Sequence, residues 1–506
     1  MSLVRSSLLV GLGSIASRVL GFVRDILFAQ ALGAGPVADA FLAAFRLPNL
    51  VRRVVGEGGL NPVLVPALAR LESHEAAALC SRTMGVFALA LLALTGFVEI
   101  GAGLIALVLA PGLQDDGTLA LVALYTRLAF PMVLGITLAS IGAALLNLRG
   151  RFGAATLAPL AVNGGLILTA LLLDAASALP LERKAAWLAA ASTLSGLVQL
   201  GIVGTALKSC GAITLRIGRP IWSPAMRNLL LAGFPALVAS GAVQLFVLAG
   251  TQVASFWPSG VSWLYYADRV VQLPLSLIAA LGASVLLPQL ALLHRAGQAQ
   301  ELVGAQNKAL ETALLLALPA SAALFVLAGP MAAVLFERGA FQAPDTQGTA
   351  LSLMGLSLGL PFATMGKILS QTLFARGSLR ATLFAALIGI VVTLLASPLL
   401  GWPFGPIGIA FGISLGCVGH AGVTVWLLRR FGLWSPDRPF LNRLGRIAGA
   451  TIVMSLGLLF AKSLVPHPGS MALAGFCSGG LALYGLAAWL LGAVTRDDLA
   501  KLAKMS

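Results

Sequence analysis

The chain has 506 residues, 58% of them hydrophobic and only 10% charged, with a formal net charge of +15 and a mean hydropathy of +0.95. A soluble domain is about 45–50% apolar and about 25% charged, so a soluble globular protein is excluded. The basic excess belongs to membrane topology before nucleic acid, because the Lys and Arg of polytopic proteins gather in cytoplasmic loops.

In chain order, apolar segments long enough to cross a bilayer fall at 8–32, 37–66, 83–110, 118–146, 155–173, 186–207 and 227–251. They continue at 262–292, 309–336, 347–375, 381–400, 405–428, 444–464 and 471–493. A span needs about 20 mostly apolar residues, so these predict an all-α polytopic membrane protein with 14 transmembrane helices. The first run follows Arg5 and outlasts a signal-peptide core, so it is expected to be an uncleaved helix. Pro48, Pro274 and Pro361 lie within segments and predict kinks or breaks there. Cys80, Cys210, Cys417 and Cys477 are too scattered for a disulfide framework or zinc site and are expected as buried small hydrophobes. His74, His294, His420 and His467 are expected in loops or at helix ends.

With the N-terminus placed in the cytoplasm, the cytoplasmic connections hold most of the Lys and Arg, including Arg149, Arg151, Arg429 and Arg430. The opposite side holds Arg183, Lys184, Arg338 and Lys462. That bias predicts both termini inside. The basic stretch with Lys208, Arg216, Arg219 and Arg227 is expected to be part of it, although it could also bind anionic lipid or a partner. A faint repeat relates ADAFLAAFRLPNL (38–50) to ADRVVQLPLSL (267–277), and LLNLRGRF (145–152) to LFARGSL (373–379). The offset covers an even number of helices, so the halves would be parallel repeats. The expected organisation is an N-lobe at 1–210 and a linker at 211–226, then a C-lobe at 227–430. Two C-terminal helices and a short tail occupy 431–506.

Eight cations remain within or at the ends of segments: Arg18, Arg24, Arg46, Arg52, Arg53, Arg127, Arg269 and Lys367. A buried Arg is expensive in a bilayer and is tolerated at an interface, in an ion pair or in a watery cavity. Arg46, Arg53, Arg127 and Lys367 lie near expected span ends, where snorkelling or pairing is an ordinary outcome. Arg18 and Asp25 are seven residues apart, about 20° on a helical wheel, so a structural pair is one outcome for them. Arg24-Asp25 in the first segment and Asp268-Arg269 in the eighth put one Arg-Asp step in each lobe. Arg favours planar bidentate anions, and several Arg around one wet cavity would suit a phosphorylated anion. No P-loop is present, since GEGG at 56–59 lacks the Lys-Ser/Thr, and neither HExxH nor GxSxG occurs. The chain is expected to be a transporter with no cofactor and no metal, rather than an enzyme.

SRVLGFVRD (17–25), the stretch GAGPVADAFLAAFRLPNLVRRVVGEGGLNPVLVPAL that follows, and YYADRVVQLPLSL (265–277) resemble the MurJ/MviN family of lipid II flippases. That family belongs to the multidrug/oligosaccharidyl-lipid/polysaccharide exporter superfamily. The resemblance implies movement of an undecaprenyl-diphosphate-linked peptidoglycan precursor, lipid II, to the outer leaflet of the bacterial inner membrane by alternating access. It implies a substrate-binding set of Arg18, Arg24, Asp25, Arg52 and Arg269, with Ser17, Asp39 and Glu57 supporting the cavity or gate. It also implies a lipid-tail groove on 444–493. The partners would be lipid II and membrane lipids, with cell-wall synthesis proteins admitted and no nucleic acid. The family's sodium site is not matched: 227–251 holds no Asp or Glu, ARGSL stands at 375–379, and 381–400 has neither carboxylate nor Asn. A hard cation wants such oxygens. The rival expectations are a flippase for another polyprenyl-diphosphate oligosaccharide, a cation-coupled multidrug antiporter, which would want membrane carboxylates, and a scaffold for cell-wall enzymes.

Overall fold

A computed structural model describes residues 3–52, 64, 68–69, 72–114, 117–176, 178–210, 243–295, 298–375, 378–466 and 468–494. Among them the secondary structure is helical, with no strand. Inside a bilayer only helices or closed barrels satisfy every backbone group, and this sequence takes the first route.

The helices of the first half are α1 (Leu3–Leu32), α2 (Pro36–Val51), α3 (Ser73–Ile100), α4 (Ala102–Leu109), α5 (Thr118–Ala129), α6 (Met132–Leu148), α7 (Phe152–Ala175) and α8 (Leu181–Ser209). After α9 (Val243–Ala254) come α10 (Gly260–Arg295), α11 (Ala299–Val326), α12 (Ala328–Phe336), α13 (Ala343–Ser357), α14 (Leu360–Ala375), α15 (Leu379–Phe404), α16 (Pro406–Arg430), α17 (Arg438–Leu464) and α18 (Ser470–Leu490). Helix starts follow local chemistry. Glu72 and Glu75 form a capping box before α3, and Asp437 accepts from the Phe440 amide at the head of α17, 2.8 Å away, satisfying amides that have no intrahelical partner.

Nine helical stretches among the described residues are long and apolar enough to cross a membrane, or ten when α13 and α14 count as one span bent by 42°. The other four expected segments fall on α1, α2, α9 and α10. α1 and α10 carry the Arg-Asp steps, while the ends of α2 and α9 border residues 53–63 and 211–242, outside the described set. Pro361 does mark a break, heading α14 after the turn at 358–359. Pro48 and Pro274 interrupt neither α2 nor α10. Large apolar side chains face outward, including Trp402 at 88% exposure and Ile100 at 88%. Water would not tolerate that surface, whereas lipid does.

The chain forms two compact units. The first comprises 1–244, 255–262 and 338–342; in it α1 packs on α7, α2 on α5, and α6 and α7 on α8. Its core joins Leu64, Cys80, Met84, Leu138, Ile141, Ala158 and Val203. The second comprises 245–254, 263–337 and 343–506; α13, α14 and α15 surround α16, and α17 and α18 pack with α11. Tyr484 on α18 donates to the Leu315 carbonyl at 2.6 Å. Cys80 and Cys417 are buried as expected, while Cys210 is intermediate and Cys477 exposed. One histidine departs from expectation. His420 is neither in a loop nor at a helix end; it is 3% exposed inside α16, because three neighbouring helices close over that face.

Candidate functional site

The first unit gathers most of the residues singled out from sequence. In α1 the adjacent Arg24 and Asp25 are 5% and 2% exposed. Arg24 Nε and Nη2 both donate to Asp25 Oδ1, at 3.0 and 2.7 Å. Arg24 Nη1 donates to Asn163 Oδ1 on α7 at 3.1 Å, and Asn163 Nδ2 donates to the Ser17 carbonyl at 3.0 Å. The guanidinium carbon lies 5.5 Å from the ring centres of Phe28 and of Phe45. Those rings belong to an aromatic cluster in which Phe41 stacks on Phe45 at 5.4 Å. A charge out of water needs such a set: an anion, a neutral acceptor and aromatic faces.

Among the described residues these bonds engage three of the five N–H groups of Arg24, leaving one on each terminal nitrogen, a pair that a bidentate anion can use. Asp25 thus accepts twice from Arg24. Arg18 is exposed on the same helix.

Asp39 lies in the first turn of α2, where the helix dipole favours an anion. It is 1% exposed, and its Oδ1 accepts from the Ser262 amide at 2.8 Å and from the Ser262 hydroxyl. Two further segments of the unit's later chain dock nearby: the Ala340 amide donates to the Gln30 carbonyl at 2.8 Å, and Ser255 Oγ accepts from the Gly112 amide at 2.9 Å. Arg52 is half-buried, and its Nε donates to Asn49 Oδ1 at 3.4 Å. Arg46 is 8% exposed in α2, five residues before that helix ends at Val51. Arg127 is exposed and donates to the Glu99 carbonyl at 3.1 Å. Glu57 and Arg53 lie outside the described residues.

In the second unit Arg269 sits over the Tyr265 ring at 4.4 Å. Its neighbour Asp268 is 8% exposed and accepts from Gln272 one turn on. Lys367 on α14 is half-buried. Asn163, Asn49 and Ser262 were not expected. The available signal for Asn163 was a single amide in the apolar run LAVNGGLIL, a polar group that a span keeps only when it has a partner. No group of three or more His, Cys, Asp or Glu able to hold a metal occurs among the described residues.

Apolar exterior, spanning helices and a buried, compensated Arg24-Asp25 step mark a multi-pass α-helical membrane protein of the transporter class. A solved structure described as "Lipid II flippase MurJ, inward closed conformation" shares this fold at a TM-score of 0.75, with 22% identity over 97% of this chain and 100% of that one. An inward-facing MATE transporter of the MOP superfamily matches at 0.67, with 16% identity over 82% of this chain and 94% of that one. The family model for lipid II flippase MurJ matches residues 28–476. A probable lipid II flippase MurJ of Rhizobium meliloti is 34% identical over 526 aligned residues, covering 100% of this chain and 97% of the relative. The lipid II flippase MurJ of Burkholderia cenocepacia is 30% identical, covering 90% and 89%. The chain belongs to the MurJ family of bacterial multi-pass membrane proteins.

Proposed function

We propose that this protein is a lipid II flippase, carrying the diphosphate-linked precursor to the outer leaflet by alternating access. The observation that carries this reading is the likeness to a probable lipid II flippase over the whole chain, at 34% identity. It is a transporter, and no covalent step is assigned to it. In this reading 14 helices cross the membrane, both termini face the cytoplasm, and the chain divides into two six-helix lobes with two C-terminal helices beside them. Arg24 and Arg269 bind the diphosphate, while Arg18 and Arg52 receive it. Asp25 orients Arg24, and Ser17, Asp39 and Glu57 support the path. Two features favour Arg24: its remaining N–H pair suits a phosphate, and Asp25 and Asn163 fix the plane of the guanidinium. The lipid tail stays in the bilayer, so only the polar head meets the protein's charges.

Expression in a strain depleted of its own lipid II flippase tests the reading. Restored growth and outer-leaflet lipid II are expected. Failure by protein that is present in the membrane and folded would overturn the assignment. Rescue confined to a strain lacking an O-antigen or capsule flippase would move the substrate to another polyprenyl diphosphate.

A further inference from the structure

His420 is a buried polar side chain of the second unit, and among the described residues neither Nδ1 nor Nε2 has a hydrogen-bond partner. Its backbone carbonyl is satisfied, accepting from Thr424 Oγ1 at 2.7 Å, so the ring alone is left over. The Phe246 ring of α9 lies 5.5 Å away. On α14, Gly366 leaves the space that the imidazole fills: a Cβ there would stand 2.5 Å from Nδ1. Imidazole carries at least one N–H and, when neutral, one lone pair. Sealing both without partners is costly, and Leu or Phe would fill the same space without that penalty. A buried ionisable side chain within a span points to an ion or proton path.

The surrounding charges are few. Of the elements packed against α16, α13 carries Asp345 in its first turn, α14 carries Lys367 next to Gly366, and α15 carries Arg380 at its start. The described part of α9 carries none. α16 itself carries Cys417 one turn before His420, and Arg429 and Arg430 in its last turn. On α10, Asp268 is 8% exposed next to Arg269. With three histidine-bearing positions elsewhere and no other buried, unmet imidazole among the described residues, this is where a proton can be taken up and hidden.

We propose that His420 is a proton-binding site coupled to the transport cycle. The ring is neutral and sealed in the arrangement described here. It is protonated in a second arrangement of the same unit, in which water or a carboxylate reaches it. The proton comes from hydronium, and the lone pair of one ring nitrogen accepts it; no other bond changes. Because the two arrangements bind the proton with different affinity, a proton gradient biases their populations, and by linkage the cycle moves protons. The consequence for transport rests on the flippase reading; the proton site itself does not.

Two measurements separate the two. In proteoliposomes holding fluorescent lipid II at a clamped membrane potential, an imposed pH gradient should change the wild-type flipping rate about fivefold or more. The rate remaining in His420→Gln, whatever its size, should not respond to the gradient. A wild-type rate indifferent to the gradient, or a full response retained by His420→Gln, overturns the proposal. If wild type does not flip lipid II at all, the flippase reading falls and the second measurement decides. Nitrogen-15 histidine spectra of a chain in which His74, His294 and His467 are replaced by Gln report on His420 alone. Titration of that signal between about pH 5 and 8 supports the site, and a single neutral tautomer throughout overturns it. This readout needs no folded His420 variant.

Discussion

At the residue scale, the Arg24-Asp25-Asn163 group is a buried charge with its compensation assembled from two helices. Removing one partner from such a pair leaves an uncompensated charge, which costs about 3–5 kcal/mol. Arg24→Ala is therefore expected to lower unfolding stability by that amount, read as a drop in the thermal midpoint in detergent. Replacing both members, Arg24→Met with Asp25→Leu, should cost less than the two single changes together; additivity would show that the pair is not coupled. Asn163→Ala removes the bond to Arg24 Nη1 and the bond to the Ser17 carbonyl. About 1–3 kcal/mol should be lost, and a variant as stable as wild type would count against the bridge. Loss of export by Arg24→Ala must be judged on protein that remains folded. Arg24→Lys is the more informative change, since it keeps the charge but loses the fork. Partial export is expected from it.

At the element scale, α15 and α16 are held close by glycine. Gly408, Gly412 and Gly416 recur every four residues and so share one face of α16. A Cβ at Gly412 would stand 2.5 Å from Ser397 Cα, and one at Gly416 would strike Thr393 Oγ1. Small residues at this spacing let backbones approach where no hydrophobic drive separates helix from lipid. Gly412→Val is expected to destabilise by about 1–3 kcal/mol through overpacking. Gly422→Ala, on the same helix but with nothing within 4 Å of the added Cβ, should leave stability unchanged or raise it by up to about 1 kcal/mol through helix propensity. Comparing thermal midpoints of the two variants checks this; equal losses would mean that helix content, not close approach, is what the glycines serve.

At the scale of the whole molecule, the sequence pattern made the helical membrane class legible because bilayer thickness sets span length and lipid demands apolar side chains. The same rules picked out Arg24 and Arg269 as charges that needed explaining, and the family resemblance added Asp39. They did not reveal where spans bend. The expected segment at 118–146 is divided at Phe130-Pro131, that at 309–336 at Leu327, and Pro274 leaves α10 whole. Hydropathy averages over a window and is blind to a one- or two-residue break. In the proposed cycle the diphosphate moves outward down a potential negative inside, gaining about 2.3 kcal/mol per charge per 100 mV. Collapsing the potential at constant pH should slow lipid II export, measured as outer-leaflet lipid II. An unchanged rate would mean that the potential does not act on the diphosphate.

The sequence by itself determined that this chain lives in a membrane, that it is helical, and which family it joins, because composition, span length and short motifs are local properties. Tertiary structure decided which partners the charges found. Asp25 went to Arg24, Asn163 came from α7 139 residues away to complete the pair, and His420, expected in a loop or at a helix end, was enclosed with its ring unmet. Those outcomes depend on which helix faces lie against each other, and a linear pattern of polar and apolar residues carries the face but not its neighbour.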